Sequence, residues 1–182
     1  RAMNLIDACI DKKVKRFVAL STDKASSPVN LYGATKLTSD KLFVAGNSYA
    51  GEHGTRFGVV RYGNVMGSRG SAIPFSLSLL DAGATALPIT DARMTRFMIT
   101  LEQGVELVWR AFDDMEGGEI YVRKIPSMKM TDLAKTLMPN GQLDHVGICP
   151  GEKLHEQMIG PEDASFTFEY DEYFKILPAI NN

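Results

Sequence analysis

The sequence has few of the residues typical of metal and disulfide chemistry. Its 182 residues include two cysteines and three histidines. Cys9 and Cys149 lack metal-ligand spacing, so we expect reduced thiols and no metal site. A net charge of −2 gives no electrostatic basis for binding nucleic acid or an anionic membrane. The apolar runs are too short to span a bilayer, and the charged amphipathic N-terminal segment is not typical of a signal peptide. We therefore expect a cytoplasmic protein without nucleic-acid or membrane partners.

The sequence also lacks an initiator methionine and a glycine-rich GxGxxG turn. Leu5, Ile6, Cys9 and Ile10 recur at helical spacing, which predicts that the chain opens within a helix. We therefore expect the chain to be part of a longer protein.

A strand–helix–strand pattern follows. The segments RFVAL and FGVVRY are short and apolar, which predicts two strands buried on both faces. Between them, a helical pattern begins at Leu31, and Gly46 and Asn47 predict its end. Apolar strands joined by a helix indicate a parallel sheet covered by helices, and therefore an α/β fold.

Weaker patterns continue beyond Met66. We expect a helix that contains Pro74 and ends before Gly83, and another that starts at a Thr100–Gln103 capping box. A short helix capped by Thr131 is also expected. The segments GEIYV and FTFEY predict short strands, the second at a sheet edge.

The stretch STDKASSPVNLYGATK, residues 21–36, carries the strongest chemical signal. Tyr32 and Lys36 are four residues apart, so on a helix they share one face. A neighbouring ammonium favours the phenolate, which can take a proton from a sugar hydroxyl while hydride leaves the same carbon. Thr22 could hydrogen-bond the same oxygen at the carboxyl end of the preceding strand. The alternative is a solvated Tyr–Lys pair that arises by chance.

Five motifs together resemble the extended short-chain dehydrogenase/reductases: STDK…YGATK, RYGNVMGSRGS, MTRF, IPSMKM and PGEKLHE. Among these, the chain is most similar to the UDP-N-acetylglucosamine 4,6-dehydratases that invert C5. The resemblance runs from about Lys15 to Pro178. It implies the C-terminal part of a Rossmann-type doubly wound parallel sheet, with the catalytic helix, in residues 1–66. Residues 67–182 would mainly form a smaller α/β subdomain that binds the nucleotide sugar, with some segments returning to the sheet. The half with the GxGxxG turn would precede Arg1.

The resemblance also implies catalytic roles. Thr22, Tyr32 and Lys36 would serve oxidation at C4. Lys24 would remove the C5 proton and return a proton from the opposite face, while Asp23 assists loss of the C6 hydroxyl. A lysine base must be neutral for part of the cycle. The alternative is an Asp23–Lys24 ion pair on the surface, which contributes little to stability.

Two further sets of residues are implied to bind ligands. The cofactor would contact Ser21, Tyr32, Lys36, Tyr62, Gly63, Asn64 and Val65. The sugar nucleotide would contact Asn64, Arg69, Arg96, Met128 and Glu152. The alternatives are a plain turn at residues 62–65, a surface role for Arg96 and a buried structural loop around Met128. His155 and Glu156 would share a short helix as packing and capping groups.

Three positions depart from the pattern of the family. Cys149 stands where relatives tend to have an arginine that contacts the diphosphate, which predicts a weaker grip on the substrate. Arg123 stands where relatives tend to have proline and could compensate for that loss. Met98 replaces the usual tryptophan.

The resemblance implies a lyase that uses NADP, with NAD possible, and acts on UDP-N-acetylglucosamine. The product would be a UDP-4-keto-6-deoxy-L-arabino-hexose for nonulosonic acid, such as pseudaminic acid, or surface polysaccharide. Relatives form dimers and hexamers, so we expect a homo-oligomer with the helix over residues 31–46 as a candidate contact. The present segment alone is expected to be inactive. Two alternatives stay open: a UDP-sugar 4-epimerase and a non-catalytic dinucleotide-binding protein.

Overall fold

The computed structural model describes residues 1–51 and 54–179, and they fall into two compact units. The first unit combines residues 1–62, 102–124 and the segment from residue 157 onward, and the second combines residues 63–101 and 125–156. The predicted division of the chain at residue 66 into two functional domains stays a prediction.

The described chain contains six helices and ten strands. The helices are α1 (Ala2–Asp11), α2 (Leu31–Ala50), α3 (Ala72–Asp81), α4 (Leu101–Asp114), α5 (Met130–Leu137) and α6 (Pro161–Ala164). The strands are β1 (Arg16–Thr22), β2 (Arg56–Tyr62), β3 (Asn64–Val65), β4 (Ala86–Ile89), β5 (Thr95–Ile99), β6 (Ile120–Arg123), β7 (Ser127–Lys129), β8 (Gln142–His145), β9 (Thr167–Glu169) and β10 (Tyr173–Ile176).

The first unit is built on a five-stranded sheet in the order β1-β2-β6-β10-β9. Strands β1, β2 and β6 run parallel, and β10 is antiparallel to both β6 and β9. The predicted α/β class with a parallel sheet is confirmed. The expected edge strand in FTFEY is also confirmed, because β9 ends the strand order.

Helices cover both faces of this sheet because residues of a strand alternate between the faces. Phe57 of β2 packs against the ring of Phe43 on α2, with ring centroids 6.2 Å apart. The alternate residues of β2 lie on the opposite face of the sheet, which α4 covers. Among them, Val60 packs with Leu107 and Met115 in a buried cluster. Strand β2 is thus buried on both faces, as the sequence predicts. The same prediction is wrong for β1, which ends the strand order of the sheet and leaves Leu20 55% exposed.

The predicted end of α2 at Gly46 and Asn47 is wrong, since the helix continues to Ala50. Gly46 is buried where the helix crosses β2, and a Cβ atom there would lie 3.2 Å from the Phe57 ring. The Asn47 side chain accepts from the Phe57 N–H at 2.9 Å and donates to the Phe57 carbonyl at 2.9 Å. Both residues therefore serve packing of the helix on the sheet, although their types are common where a helix stops.

The second unit contains a three-stranded sheet, β3-β5-β7, and a two-stranded parallel sheet, β4-β8. Leu87 and Ile89 of β4 pack against Ala134 of α5 in its core. Helix α5 begins at Met130, with Lys129 in the N-cap position, so the predicted cap at Thr131 is wrong. A cap must precede the first turn, whereas Thr131 lies inside it.

Two features, a membrane-spanning helix and a metal-binding cluster, are absent from the residues that the structure describes. No helix in residues 1–51 and 54–179 is both long and apolar enough to cross a membrane. Within the same residues, no group of three or more His, Cys, Asp or Glu side chains is placed to hold a metal ion.

Candidate active site

The carboxyl end of β1 carries three polar side chains that bond to one another. Thr22 Oγ1 donates to Asp23 Oδ1 at 2.9 Å, and Lys24 Nζ donates to the same oxygen at 3.0 Å. The Lys24 N–H donates to Thr22 Oγ1 at 3.4 Å, which caps a single 3-10 turn over Asp23–Ala25. The end of the strand therefore presents a hydroxyl, a carboxylate and an ammonium as one group.

Asp23 is buried to an unusual degree for a carboxylate at the end of a strand. Its side chain is 0% exposed, while that of Lys24 is 31% exposed. The alternative of a solvated surface pair is therefore wrong. The second carboxylate oxygen, Oδ2, has no hydrogen-bond partner among the described residues. Because a buried polar atom without a partner is costly, this oxygen has an unused capacity to accept a hydrogen bond.

The first turn of α2 packs directly on this group. Asn30 caps the helix, since its Oδ1 accepts from the Gly33 N–H at 2.8 Å. A Cβ atom at Gly33 would lie 2.4 Å from the Lys24 carbonyl oxygen and 2.9 Å from Pro28 Cβ. Only glycine permits this approach, so Gly33 sets how closely Tyr32, its neighbour in the chain, comes to the 3-10 turn.

Tyr32 and Lys36 lie one turn apart on α2, as their spacing predicts. Tyr32 is 53% exposed. Lys36 is half-buried, and its Nζ donates to the carbonyl of Leu20 at 3.5 Å. Because Leu20 stands two residues before Thr22 on β1, the structure brings the ammonium to the strand end that carries the Asp–Lys group. The catalytic roles of these residues stay predictions.

The segment that follows β2 differs from the turn expected at residues 62–65. Tyr62 ends β2 and is the register partner of Thr22, and burial raises the pKa of its hydroxyl. Asn64 and Val65 then form β3, which pairs with β5. A Cβ atom at Gly63 would lie 2.5 Å from the Phe97 carbonyl oxygen. This glycine is therefore required by close packing on β5 and not by a turn.

The residues expected to hold the sugar nucleotide lie in the second unit. Arg96 on β5 donates from Nη1 to the Leu154 carbonyl at 3.2 Å, and its register partner on β7 is Met128. Asn64 belongs to the same small sheet, while Arg69 is exposed in the loop after β3. The guanidinium of Arg96 is thus anchored to backbone and is not a free surface group.

The PGEKLHE segment forms turns without a helix, so the predicted short helix at His155 and Glu156 is wrong. Glu152 Oε2 accepts from the Cys149 N–H at 3.2 Å, which closes the turn that contains proline and glycine. His155 Nδ1 lies 2.8 Å from Thr95 Oγ1. With Pro150 and Gly151 at the start of the segment, tight turns replace the helix.

Arg123 already has acidic partners within the first unit. Its guanidinium pairs with Glu106 at 2.9 Å and with Glu172 at 3.7 Å. A role in compensating for Cys149 would require these ion pairs to break, and that role stays a prediction.

The sequence reasoning missed a buried charged cluster centred on Arg61. This side chain is 0% exposed and contacts the carboxylates of Asp40 and Asp163, each at 3.2 Å. A signal was present in the sequence, because Arg61 interrupts the apolar run FGVVRY and Asp40 follows Lys36 by one helical turn.

Known proteins resemble this chain along nearly its whole length. A family model described as "Polysaccharide biosynthesis protein" matches residues 1–178. The chain is 60% identical over 179 residues to the UDP-N-acetylglucosamine 4,6-dehydratase (inverting) of Campylobacter jejuni, an alignment that covers 98% of this chain and 54% of that protein. The chain thus spans about half the length of the curated relatives it matches. The resemblance stated from the motifs is confirmed.

Solved structures show the same fold. The X-ray structure of Pen from Bacillus thuringiensis has a TM-score of 0.92 and 36% identity, covering 98% of this chain and 58% of that chain. DesIV, a dTDP-glucose 4,6-dehydratase from Streptomyces venezuelae with NAD bound, has a TM-score of 0.75 and 21% identity, covering 90% and 57%. The expected Rossmann-type architecture is confirmed.

Proposed function

Because the chain belongs to the polysaccharide biosynthesis protein family, we propose that it carries the catalytic residues of a C5-inverting UDP-N-acetylglucosamine 4,6-dehydratase. One observation supports this most directly. At the end of a parallel strand, one carboxylate oxygen of the fully buried Asp23 accepts hydrogen bonds from both the Thr22 hydroxyl and the Lys24 ammonium. Ligands of open α/β sheets bind at this end of the strands.

The first step is oxidation at C4 of the sugar. The Tyr32 phenolate takes the proton of the C4 hydroxyl, while Thr22 hydrogen-bonds the same oxygen. Lys36 lies one helical turn from Tyr32 on α2, and its ammonium donates to the Leu20 carbonyl near the end of β1.

A nicotinamide dinucleotide fits the donor groups at this end of the sheet. Thr22 and Tyr62 are register partners on adjacent strands, and Tyr32 and Lys36 add a phenol and an ammonium from one face of α2. We propose that these groups, with Ser21 and the backbone of residues 63–65, contact the cofactor. A bound dinucleotide would supply the hydride chemistry, as acceptor from C4 and donor to C6.

The second step is elimination across C5 and C6. The C4 ketone acidifies the C5 hydrogen. Once the Lys24 ammonium has passed a proton to the Asp23 carboxylate across their 3.0 Å hydrogen bond, neutral Lys24 removes the C5 hydrogen as a proton. Asp23 gives a proton to the C6 hydroxyl, which leaves as water. Lys24 then returns its proton to C5 from the opposite face, which inverts that centre. The proton that Tyr32 accepted balances the one that Asp23 gave, so the cycle is redox-neutral and releases one water molecule.

The second unit supplies contacts to the nucleotide. Arg96 is suited to the diphosphate, because a guanidinium matches phosphate oxygens in forked geometry. We propose that Asn64 and Arg69 also face the sugar nucleotide, that Met128 lines the uracil end and that Glu152 accepts hydrogen bonds from the ribose hydroxyls.

The test is exchange at C5. The complete gene product is incubated with UDP-N-acetylglucosamine in deuterated water, and NMR reports deuterium and configuration at C5. We expect a 4-keto-6-deoxy product with deuterium at an inverted C5. Lys24→Met should abolish this exchange, whereas Lys135→Met, a change at an exposed lysine of α5, should leave it intact.

Other outcomes would assign the protein elsewhere. A 4-epimer without deuterium at C5 would indicate a UDP-sugar 4-epimerase, which needs Tyr32 and Lys36 but has no use for the Asp23–Lys24 pair. Cofactor binding without turnover would indicate a dinucleotide-binding protein. Unchanged C5 exchange in Lys24→Met would remove Lys24 from the mechanism.

The cellular setting follows from the same proposal. We propose that the cofactor is NADP, which is checked by adding NADP or NAD separately to cofactor-stripped protein and measuring turnover. We further propose a cytoplasmic homo-oligomer whose product enters nonulosonic acid, such as pseudaminic acid, or surface polysaccharide synthesis.

A further inference from the structure

Within the second unit, three hydrogen bonds join the start of β5 to the turns of the PGEKLHE segment. The Thr95 N–H donates to the Leu154 carbonyl at 3.2 Å, and Arg96 Nη1 donates to the same carbonyl at 3.2 Å. The third bond joins His155 Nδ1 and Thr95 Oγ1, which lie 2.8 Å apart. Two neighbouring residues of the strand thus hold two neighbouring residues of the turns.

The Leu154 carbonyl determines where the Arg96 guanidinium lies. Nη1 donates to this carbonyl and also to the Thr95 carbonyl, at 2.7 Å. Both bonds use the same nitrogen, so they leave the donors of Nε and Nη2 for a ligand. These two nitrogens form one fork of the guanidinium, and such a fork matches two oxygens of a phosphate. The location of one backbone carbonyl therefore sets the direction of a group suited to a diphosphate.

His155 is placed to fix that carbonyl, because it is the next residue in the chain. The segment forms turns without a helix or a strand, so no regular ladder of backbone hydrogen bonds holds its shape. The bond from His155 to Thr95 adds a side-chain anchor beside the backbone bond of Leu154. A threonine hydroxyl both donates and accepts, so this bond forms with either tautomer of the neutral ring. None of the proposed steps uses this histidine.

We propose that His155 is a positioning residue: through Thr95 Oγ1 it holds the Leu154 carbonyl against β5 and so directs the Arg96 guanidinium. Its effect on binding rests on the proposed function, in which Arg96 contacts the diphosphate of the sugar nucleotide. His155 thus acts through Arg96 and needs no contact with the ligand. The diphosphate lies away from the reacting carbons, so its contacts are the same in the ground state and the transition state. Loss of positioning should therefore raise KM and leave kcat almost unchanged.

The test measures binding of UDP to the complete gene product by isothermal titration calorimetry. His155→Asn keeps an amide atom at the place of Nδ1 and should bind UDP like the wild type. His155→Gln places its amide near the place of Nε2 instead, so its Kd should rise about tenfold, the scale of one hydrogen bond to a charged group. His145→Gln, a change at an exposed histidine of β8 in the same unit, is the matched control and should leave the Kd unchanged.

A double-mutant cycle distinguishes positioning of Arg96 from a general structural role. Arg96→Gln alone should weaken UDP binding, and the addition of His155→Gln should weaken it no further, because His155 acts through Arg96. Additive losses of affinity in the double variant would refute the positioning role. Affinity that is kept in His155→Gln but lost in His155→Asn would indicate direct contact of Nε2 with the ligand and would refute it as well.

A measurement without ligand separates this role from the proposed function. Hydrogen exchange, followed by mass spectrometry of a peptide that contains Thr95, reports the bond of its N–H to the Leu154 carbonyl. Exchange should be about tenfold faster in His155→Gln and should match the wild type in His155→Asn and His145→Gln. Unchanged exchange in His155→Gln would refute the positioning role. If the wild type binds no UDP but the exchange difference is found, the proposed function fails and the hold of His155 on β5 stands.

Discussion

Gly33→Ala tests whether the approach of α2 to the Asp–Lys turn sets activity. The new Cβ atom would lie 2.4 Å from the Lys24 carbonyl oxygen, below the 3.0 Å that real Cβ contacts respect. The helix must therefore withdraw by at least 3.0 − 2.4 = 0.6 Å. Overpacking of this kind costs about 1–3 kcal/mol, and replacing a helical glycine by alanine returns about 1 kcal/mol. We expect a net loss of about 0–2 kcal/mol in unfolding free energy.

The expected loss of activity is larger than the loss of stability. A displacement approaching 1 Å between reacting groups can cost about 100-fold in rate, and Tyr32 is the chain neighbour of Gly33. We would measure kcat for dehydration and urea unfolding of the complete gene product for the same variant. A fall of about 100-fold in kcat with a retained cooperative transition is expected.

Gly104→Ala in α4 is the matched control. A Cβ atom at Gly104 would meet nothing within 4 Å, so this variant should gain about 1 kcal/mol from helix propensity with unchanged kcat. If Gly33→Ala turned over at the wild-type rate, or was stabilised as much as Gly104→Ala, the reasoning about close approach would be wrong.

Two further predictions concern stability of the first unit. Burial acts to lower the pKa of Lys175, but the hydrogen bond and the charge interaction with Asp114 raise this pKa overall. For Asp114 the signs are reversed: burial acts to raise its pKa, but hydrogen bonds from Lys175 and Tyr121 lower this pKa overall. Lys175→Met should therefore cost about 1–2 kcal/mol at neutral pH. This cost should shrink as the pH falls through the lowered pKa of Asp114 and as the pH rises through the raised pKa of Lys175. Urea unfolding across pH measures the cost, and a pH-independent cost would contradict the ion pair. Asn47→Ala should cost about 1–3 kcal/mol, because the Phe57 N–H loses its 2.9 Å acceptor. Asn47→Asp, which keeps an acceptor oxygen, should recover part of this loss in the same assay.

The sequence was sufficient for the central strand–helix–strand unit. The apolar runs around Phe17 and Phe57 form the strands β1 and β2, and Tyr32 and Lys36 fall at the predicted helical spacing. Local residue types also placed Thr22, Asp23 and Lys24 at a strand end. These features can be predicted because apolar runs and helical spacing are properties of residues that are neighbours in the chain.

Features that depend on contacts between residues far apart in the chain could not be predicted from the sequence. Gly46 and Asn47 resemble a helix stop, yet packing on β2 places them inside a helix. The strands β4 and β8 have weak sequence patterns for a strand. Strand β4 contains Pro88, and strand β8 contains a single apolar residue, Leu143. Asp23 is likewise buried in a 3-10 turn against which α2 packs, and no local pattern in the sequence predicts that burial.

The order of synthesis gives the Arg61 cluster a consequence for folding in the cell. Arg61 and Asp163 are 102 residues apart in the chain, and the second unit is inserted between them. While the polypeptide emerges from the ribosome, β1, α2 and β2 can assemble early. At that stage the Arg61 guanidinium can pair with Asp40, but Asp163 has not yet been synthesised. Translation that stalls before residue 157 should therefore leave Arg61 without Asp163 and β2 without the later strands of its sheet, so the backbone of this segment should be cleaved by proteases more readily than in the finished chain.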